Sequence, residues 1–383
     1  MRPSIPLAVC WLLTGCGEPE RPNLLILVSD ALRADALSCY GGRAATPNLC
    51  RLAERGVLFE HAFANAPWTL PSSISMFTGR PSGWYRRVAG PEELEPGGRS
   101  YRVPDEERLL GEVLADLGYR AQVHLENPVA RQAKAFQGFA RASLAEARRD
   151  RVLREVAPEI GFRPRDGRYL RILWLLDLLS SPPAGRFAAV HWIDDPHAPY
   201  EPPPGLLPEA APAGLPRPVA YYAGLGHHLR PRRGLRKLRD EAPGLTPEEL
   251  AFVERLYLLE VESVDQRLGY VLRALERSGL AEETLVVFTA DHGEAFGEHG
   301  EFLHGVSLYN ELVRVPLILA GPGIARGHRV AGPVSHLDLL PTLADLMRLE
   351  GLGPFAGESL RPQLEGRAEG RPRFHYLSSL DRL

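Results

Sequence analysis

A carboxylate and an imidazole stand side by side at Asp291 and His292, directly after an apolar run of residues. Carboxylate oxygens and a neutral imidazole nitrogen are ligands that suit a divalent cation such as Mn, Zn, Mg or Ca. A further carboxylate, Asp30, follows a different apolar run near the start of the chain. One acidic surface turn would explain a single Asp-His pair, but two carboxylates at separate strand ends favour a metal site.

A hydroxyl group suited to nucleophilic chemistry is present at Thr69, in the segment TLPSS. Pro71 predicts that a helix begins at this segment, because proline is tolerated in the first turn. The free N–H groups and partial positive charge of a helix N-terminus stabilise an anionic substrate and an approaching alkoxide. Metal contact would lower the pKa of the hydroxyl further, so we predict a nucleophile at Thr69. The alternative is an ordinary helix N-cap.

Strands must carry these groups to a common edge. Apolar runs predict strands over residues 24–28, 57–63, 119–125, 186–193, 284–289 and 315–320. Caps, proline and glycine predict helices over residues 46–55, 71–78, 107–117, 167–179, 247–278 and 335–347. Thr246 and Glu249 have the spacing of a capping box at the start of the helix over 247–278. Alternating strands and helices indicate an α/β fold with a parallel sheet covered on both faces. Ligands in such sheets gather at the carboxyl ends of the strands, where Asp30, His197 and Asp291-His292 are expected to converge.

The composition excludes some classes of protein. The 383 residues favour one large α/β domain with appendages, or two unequal lobes. A hydrophobic fraction of 44% and a charged fraction of 24% are ordinary for a globular protein. A net charge of -3 gives no polyanion-binding signal, and we find no nucleic-acid motif, so we predict no nucleic-acid partner.

The N-terminus predicts export and a lipid anchor. Residues 5–13 form an apolar stretch that is too short to span a bilayer and is typical of a secretory signal. The following LTGC resembles the bacterial lipobox, which predicts a lipoprotein signal peptide over 1–15, lipidation of Cys16 and a tether over 16–22. The catalytic domain would then be membrane-anchored and periplasmic or extracellular. The alternative is an ordinary cleaved signal with an incidental cysteine.

Two further features admit both a structural and a functional interpretation. Cys39 and Cys50 would pair in an oxidising compartment, or remain two partly buried free thiols. Residues 202–244 are rich in Pro and Gly and then basic, which is typical of a solvated surface loop. The functional interpretation of the same stretch is a lid that attracts an anionic substrate or a lipid headgroup.

Six segments in order resemble sulfatases of the alkaline phosphatase superfamily and cover most of the chain from residue 23 to about 360. They are NLLILVSDALRADALSCY, TPNLCRLAERGVLFEHAFANAPWTLPSS, FTGRPS, WIDDPHAPYEPP, LVVFTADHGEAFGEHGEFLHG and VSHLDLLPTLADL. The resemblance implies a mixed, mostly parallel sheet sandwiched by helices, in a catalytic domain over 23–360. The chain continues only over 361–383, so we expect the small C-terminal subdomain of typical sulfatases to be curtailed to a short tail.

The resemblance also implies roles for individual residues. The ligands of one divalent metal (Mn, Ca, Mg or Zn) would be Asp30, Thr69, Asp291 and His292. Thr69 corresponds to the nucleophile. His197 and His304 correspond to histidines that contact the anionic group or the leaving oxygen, and Ser73 occupies a substrate-binding position.

Departures from the family pattern bear on the chemistry. Sulfatases of the formylglycine type carry Cys or Ser at the position of Thr69 and Arg at that of Ser73, and threonine cannot be converted into the aldehyde. The second acidic ligand is replaced by Ala31, and the lysine before the downstream histidine by Leu303. A threonine nucleophile resembles the phosphoryl-transferring relatives instead, which use a metal-activated alkoxide.

We therefore expect a sulfatase-like, metal-dependent hydrolase or transferase of phosphate- or sulfate-type esters that acts through Thr69. The substrate would be an anionic ester, with a lipid headgroup or a glycan as candidates. One alternative is a sulfuric ester hydrolase with a different nucleophile. Another is a catalytically degenerate binding lipoprotein that keeps the sulfatase fold, and the replacements at Ala31 and Ser73 motivate it.

Overall fold

The computed structural model describes residues 21–85, 103–206, 246–305 and 307–368, together with the backbone of 87–89 and 99–101. The predicted signal peptide over 1–15, Cys16 and most of the basic stretch (207–245) lie outside the described residues, as do residues 369–383 of the tail. Among the described helices, none is both long and apolar enough to cross a bilayer. Cys39 and Cys50 are partly buried free thiols.

The core of the described part of the chain is an eight-stranded sheet in the order β8-β2-β7-β6-β1-β5-β3-β4. Its strands are β1 (Asn23–Ser29), β2 (Gly56–Phe59), β3 (Arg120–Leu125), β4 (Ala140–Arg141), β5 (Phe187–Ile193), β6 (Thr284–Ala290), β7 (Leu317–Ala320) and β8 (His328–Val330). Strand β7 is antiparallel to both of its neighbours, and the other pairs are parallel. The predicted mixed, mostly parallel sheet is confirmed.

The middle of this sheet is buried on both faces. Every residue of β1, β5 and β6 is buried, which explains why these strands are nearly continuous apolar runs. Three smaller groups of paired strands lie outside the main sheet. They are Ala62–Phe63 with Arg314–Val315 and Val334–Ser335, the hairpin Ala295–Phe296 with Phe302–Leu303, and Arg87–Ala89 with Arg99–Tyr101.

Helices cover the sheet. The longer ones are α1 (Pro47–Glu54), α2 (Thr69–Thr78), α3 (Leu110–Asp116), α4 (Leu173–Ser180), α5 (Pro247–Arg277) and α6 (Leu339–Met347). Shorter helices span Glu146–Arg151, Ala157–Glu159, Gly167–Leu170, Asn310–Val313 and Arg361–Leu364, with a π-helical turn at Val152–Val156. The predicted capping box at the start of α5 is confirmed, since Thr246 and Glu249 cap each other's backbone N–H groups.

Two strands predicted as continuous are each divided. The strand expected over 57–63 breaks after Phe59, and the strand expected over 315–320 breaks at Pro316. Proline has no N–H group for the ladder. Ala62 and Phe63 instead pair with Val315 and Arg314. The segments next to β2 and β7 therefore pair with each other outside the main sheet.

Several helix boundaries also differ from the prediction. The helix expected from residue 107 begins at Leu110, because the Glu112 carboxylate accepts the N–H of Leu109 at 2.9 Å and caps the helix there. The helix expected over 167–179 is two helices, and the one expected from residue 335 begins at Leu339 after a 3-10 turn. The helix expected from residue 71 begins two residues earlier, at Thr69.

Candidate active site

Three buried strands end at the same height. The strand register pairs Ser29 of β1 with Ile193 of β5 and with Ala290 of β6. The ladder continues one residue further, where the N–H of Asp30 donates to the Ile193 carbonyl (2.9 Å) and the N–H of Asp291 donates to the Ser29 carbonyl (3.4 Å). Two carboxylates from distant parts of the sequence are therefore adjacent at the carboxyl edge of the sheet.

Helix α2 brings Thr69 to this edge. Thr69 is the first residue of the helix, and the preceding Trp68 provides no side-chain cap. The Ser72 hydroxyl donates to the Asp291 carbonyl at 2.5 Å and fastens the start of the helix to the end of β6. Thr69 Oγ1 lies 3.4 Å from His292 Nε2, so the predicted nucleophile and the predicted ligands lie together.

The predicted ligand atoms face one another in a fully buried cluster. His292 Nε2 is 3.6 Å from Asp30 Oδ1 and 3.3 Å from Asp291 Oδ2, and all three side chains are inaccessible to solvent. The second oxygen of Asp30 accepts hydrogen bonds from Asn127 Nδ2 (2.5 Å) and Trp192 Nε1 (3.0 Å). The second oxygen of Asp291 accepts the N–H of His292 (2.9 Å).

The inner oxygens of this cluster lack donors. Among the described residues, Asp30 Oδ1 and Asp291 Oδ2 have no hydrogen-bond partner. Buried carboxylate oxygens without donors or a counter-charge are costly in free energy. Two such oxygens directed at one imidazole nitrogen therefore match the coordination needs of a divalent cation.

The tautomer of His292 also suits a ligand. His292 Nδ1 lies 2.9 Å from the Gly293 carbonyl, so Nδ1 carries the proton and Nε2 presents a lone pair to the carboxylates. Burial, with a smaller contribution from His304, lowers the pKa of His292 to about 3. A neutral imidazole with this pKa is a poor general base but a good metal ligand.

Burial dominates the electrostatics of the two carboxylates, although the nearby charge of His197 opposes it. Burial raises the pKa of Asp30 to about 7, and the nearby charge of Asp291 raises it in the same direction. Burial raises the pKa of Asp291 to about 7 as well, against hydrogen bonds from Ala31 and His292 that lower it. A bound cation reverses such shifts, because it stabilises the ionised carboxylates.

Ala31 marks a departure within this site. Its backbone is left-handed, with φ 55°, its N–H donates to Asp291 Oδ1 (3.1 Å), and its carbonyl accepts the Tyr257 hydroxyl (3.0 Å). The side chain is buried. The position at which the resemblance implies a second acidic ligand therefore carries a methyl group.

Both predicted substrate histidines lie beside the cluster. The His304 ring centroid is 4.3 Å from that of His292 and 4.9 Å from that of His197. His304 Nδ1 is 2.8 Å from one oxygen of the buried Glu294, whose other oxygen accepts the Tyr200 hydroxyl at 2.9 Å. This chain of hydrogen bonds fixes the orientation of the His304 ring.

His197 has the opposite electrostatic character to His292. Burial lowers its pKa, but the carboxylates of Asp30, Asp194 and Glu294 outweigh burial and raise it to about 9. Burial raises the pKa of Glu294 to about 7. One imidazole of the site is therefore neutral, and another holds a proton at neutral pH.

Ser73 does not direct its hydroxyl proton toward a substrate. Its Oγ donates to the Thr69 carbonyl one helical turn earlier at 2.6 Å, and the side chain is fully buried. Ser73 therefore lies on the same helix as Thr69, but its donor is used within that helix. This geometry does not favour the predicted substrate-binding role.

A second group of potential ligands lies nearby, formed by His124, Glu126 and His191. His191 Nε2 is 3.5 Å from Glu126 Oε1, and both side chains are fully buried. The Trp174 indole donates to His191 Nδ1 at 3.3 Å, which places the proton of the neutral imidazole on Nε2. Nε2 then has no lone pair to offer a metal.

Positive charge also disfavours a cation in this second group. Arg171 Nη1 lies 2.7 Å from Glu126 Oε2, and the buried Arg267 Nη1 lies 4.0 Å from the same oxygen. The carboxylate is already neutralised by guanidinium groups. The residues do not fit a metal ion.

Several residues of the site were not predicted from the sequence. Asn127 lies two residues past β3, so the strand-end rule that selected Asp30 would have selected it too. Glu294 lies two residues after His292, and its sequence context did not predict a role for it. The contributions of Trp192 and Tyr200 depend on side-chain directions that sequence spacing does not give.

The sequence matches a known protein family. The family model described as Sulfatase matches residues 22–349. The chain belongs to the sulfatase family. This family is one of ester hydrolases, so the predicted enzyme class and the resemblance to sulfatases are confirmed.

Individual relatives agree with this assignment. The sequence is 26% identical over 403 residues to the Delta 4,5-hexuronate-2-O-sulfatase of Bacteroides thetaiotaomicron, covering 97% of this chain and 77% of the relative. The fold is similar to that of a 2-O GAG sulfatase (TM-score 0.67, 24% identity, 92% of this chain and 76% of that one). It is also similar to a phosphonate monoester hydrolase from Silicibacter pomeroyi (TM-score 0.65, 20% identity, 92% and 78%).

Proposed function

We propose that this sulfatase-family protein is a metal-dependent hydrolase or transferase that acts on a phosphate-type ester through a Thr69 nucleophile. One divalent metal would be held by Asp30, Asp291 and His292, with Thr69 as the fourth ligand. The observation that carries the proposal is the convergence of two unpartnered carboxylate oxygens and an unprotonated imidazole nitrogen beside Thr69 Oγ1.

Thr69 is well placed to react with an anionic group. Its position at the uncapped start of α2 exposes the ester to backbone N–H groups and to the positive end of the helix dipole. A divalent metal, when bound, supplies Lewis-acid polarisation and lowers the pKa of a hydroxyl that it contacts. Because the pKa of His292 is about 3, this imidazole serves as a ligand and does not store the threonine proton.

The remaining histidines handle the leaving group. Thr69 reacts as the alkoxide after its proton has passed to bulk water, and a bond forms from Oγ1 to phosphorus while the bond to the ester oxygen breaks. That oxygen takes a proton from His197 or His304. We assign the donor role to His197, because Nδ1 of His304 already contacts Glu294. Glu294 holds His304 in place to bind the anionic group. Water, or an acceptor hydroxyl in a transferase, then attacks phosphorus and releases Thr69, returning a proton to the histidine.

A sulfate ester is the second candidate substrate, with a nucleophile other than a formylglycine. It is favoured by the relative named as a 2-O-sulfatase, which matches nearly the whole chain. The phosphate-type ester is favoured by Thr69, which cannot form the aldehyde. The structural neighbour named as a phosphonate monoester hydrolase is consistent with chemistry at phosphorus on this fold.

The location and substrate class complete the proposal. We propose lipidation at Cys16, which would hold the catalytic domain at a membrane in the periplasm or outside the cell. A glycan ester or a lipid headgroup would be within reach there. Cys16→Ser should move the protein from the membrane fraction to the soluble fraction of the producing cells, and unchanged partitioning would remove the anchor from the proposal.

The decisive experiment combines a substrate panel with a matched pair of variants. Purified protein is loaded with Mn, Zn, Mg or Ca and assayed on nitrophenyl phosphate, phosphonate and sulfate esters. Thr69→Ala should lose turnover by about a thousandfold or more. Thr78→Ala, at the other end of the same helix and equally buried, should keep it.

A covalent intermediate provides an independent readout. Acid quenching during turnover, followed by peptide mass spectrometry, should find a phosphoryl group on Thr69 if the ester is of the phosphate type. Full activity of Thr69→Ala would exclude the threonine mechanism. Turnover of sulfate esters alone would select the second candidate substrate.

A further inference from the structure

Residues 194–201 carry His197 and Tyr200 into the site without regular secondary structure. We refer to this segment as the histidine loop. A loop that follows a strand has no ladder of its own to hold its side chains in place. Its position must therefore come from contacts with other elements, and in this protein those contacts are made by buried charges.

The first end of the histidine loop is held through Asp195. Its carboxylate accepts a hydrogen bond from the guanidinium of Arg267 on α5, and its other oxygen lies 3.5 Å from Arg168 Nη1. The Asp195 backbone carbonyl accepts the Ser29 hydroxyl at 2.7 Å. Ser29 directly precedes Asp30. The same end of β1 therefore carries a predicted metal ligand and a contact to the histidine loop.

The far end of the histidine loop is held through the backbone of Glu201. Its N–H donates to Glu260 Oε1 at 2.7 Å, and its carbonyl accepts from the Arg168 guanidinium. Arg168 also contacts Glu260 Oε1 at 3.1 Å. Glu260 and Arg267 are seven residues apart on α5, two helical turns, and therefore lie on one face of that helix.

These anchors are costly for folding alone. Arg267 is fully buried, and its Nε and Nη1 atoms have no hydrogen-bond partner among the residues described. Glu260 is 1% exposed, and its Oε2 atom also has no hydrogen-bond partner among the described residues. Apolar side chains of similar volume often stabilise a core as well as a buried ion pair does. What the charges add is a fixed direction for each hydrogen bond to the loop.

We propose that Arg267 with Asp195, and Arg168 with Glu260, are positioning residues that set the place of His197 over the leaving oxygen. The inference rests on the proposed role of His197 as the proton donor. None of the four residues belongs to the cluster of Asp30, Asp291 and His292. They hold both ends of the eight-residue loop, so that a change at either end displaces the imidazole between them.

The test uses the dependence of rate on the leaving group. The probes are a 4-nitrophenyl ester and the phenyl ester of the same acid, whichever acid the metal-loaded wild type hydrolyses. Phenolate is the poorer leaving group and needs the proton more. Asp195→Asn and Glu260→Gln should lower kcat for the phenyl ester about tenfold more than for the nitrophenyl ester, because a small misplacement of the donor is costly.

A matched control separates positioning from general destabilisation. Asp265 is a buried carboxylate on the same helix that accepts the Leu49 N–H at 2.8 Å and ties α5 to α1 instead. Asp265→Asn should lower the melting temperature without changing the ratio of the two rates. If Asp195→Asn does not fold, Glu260→Gln carries the test, since it keeps the size of the side chain but removes the charge that strengthens the hydrogen bonds from Glu201 and Arg168.

The outcomes distinguish the two proposals through His197→Ala. If His197→Ala alone loses the phenyl ester selectively, and Asp195→Asn and Glu260→Gln do not, the positioning inference is overturned and the proposed function stands. If His197→Ala leaves the ratio unchanged, its role as donor fails and the positioning inference fails with it. A selective loss in all three variants, with Asp265→Asn unchanged, supports both.

Discussion

Two groups of histidine and carboxylate side chains lie near the carboxyl ends of the central strands in the described part of the chain, and their surroundings differ. In the first, Asp30 and Asp291 direct oxygens without hydrogen-bond partners at His292 Nε2. In the second, His191 Nε2 and Glu126 Oε1 approach to 3.5 Å and likewise have no hydrogen-bond partner, with His124 beside them. Proximity and missing partners therefore do not distinguish the two groups.

The hydrogen-bond donors around each group distinguish them. A backbone carbonyl takes the Nδ1 proton of His292 and leaves Nε2 open, whereas the Trp174 indole occupies Nδ1 of His191 and leaves a proton on Nε2. Guanidinium groups from Arg171 and Arg267 neutralise Glu126. The groups with the largest electrostatic effect on Asp30 are instead carboxylates and imidazoles. The hydrogen-bond partners of the ligands thus distinguish the proposed metal site from a structural ion pair.

The largest expected contrast comes from removing one carboxylate of each group. Asp291→Asn should abolish stoichiometric metal and lower turnover by about a thousandfold or more, because a divalent ion contributes several kcal/mol to such reactions. Glu126→Gln should keep the metal. Elemental analysis of both purified variants is the measurement, and loss of metal from Glu126→Gln would contradict the assignment of the two groups.

The pH dependence of metal binding should come next in size. Asp30 and Asp291 must ionise to bind, and without metal the pKa of each is about 7. The apparent dissociation constant should therefore rise at least about tenfold between pH 7.5 and pH 5.5 as protons compete for the oxygens. Calorimetric titrations at the two pH values measure the dissociation constant of the metal. Equal values would show that protons do not compete with the metal for the carboxylate oxygens.

The same shifts give a sign for the stability of the metal-free protein. The pKa values in the folded protein exceed the ordinary value of 3.8, so the folded state binds more protons between about pH 4 and pH 7. The contribution of these groups to stability therefore falls as pH rises through that range. Asp30→Asn with Asp291→Asn should remove this component, as judged by denaturant unfolding at each pH.

A smaller effect is expected from the donors behind the ligands. Asn127→Ala removes the shortest hydrogen bond to Asp30, and loss of such an outer partner weakens metal binding by about tenfold to a hundredfold. Asn48→Ala is the matched control, because it breaks a similar amide-to-carboxylate hydrogen bond, to Asp265 at 2.7 Å, away from the site. Equal metal affinity in Asn127→Ala and wild type would count against this role for Asn127.

The smallest effect belongs to the second group. Trp174→Phe removes the donor to His191 Nδ1 and should cost about 1 to 3 kcal/mol of stability, the usual penalty for an unpaired buried acceptor. Metal content and turnover should stay at the wild-type level. Chemical unfolding measures the loss of stability, and elemental analysis measures the metal content. Loss of metal from Trp174→Phe would contradict the structural role of this group.

The sequence was sufficient to predict that Asp30, Asp291 and His292 lie together, but not to predict their surroundings. Asp30 and Asp291-His292 follow apolar runs of a kind typical of buried parallel strands, and the equal height of those strand ends brings them together. The hydrogen bonds from Asn127 and Trp192 to Asp30 link residues 97 and 162 positions apart, and no local pattern predicts such contacts.

In the fold too, features that depend on neighbouring residues were predicted, and features that depend on distant contacts were not. The capping box of α5 is a local signal and was predicted correctly. The shared break of two strands near Phe59 and Pro316 depends on pairing between distant segments. Ser73 was assigned to the substrate by resemblance, but a hydrogen bond one turn back along its own helix takes its proton.

The methyl group of Ala31 has a consequence for the charge of the proposed metal site. In the proposed ligand set, Asp30 and Asp291 carry two negative charges, equal in number to the positive charges of a divalent ion, and the Thr69 alkoxide adds one more. An acid at position 31 would make the centre more negative and would repel an incoming anion more strongly. The left-handed backbone at this position is one that aspartate tolerates better than alanine, so a single substitution would add that charge with little conformational resistance.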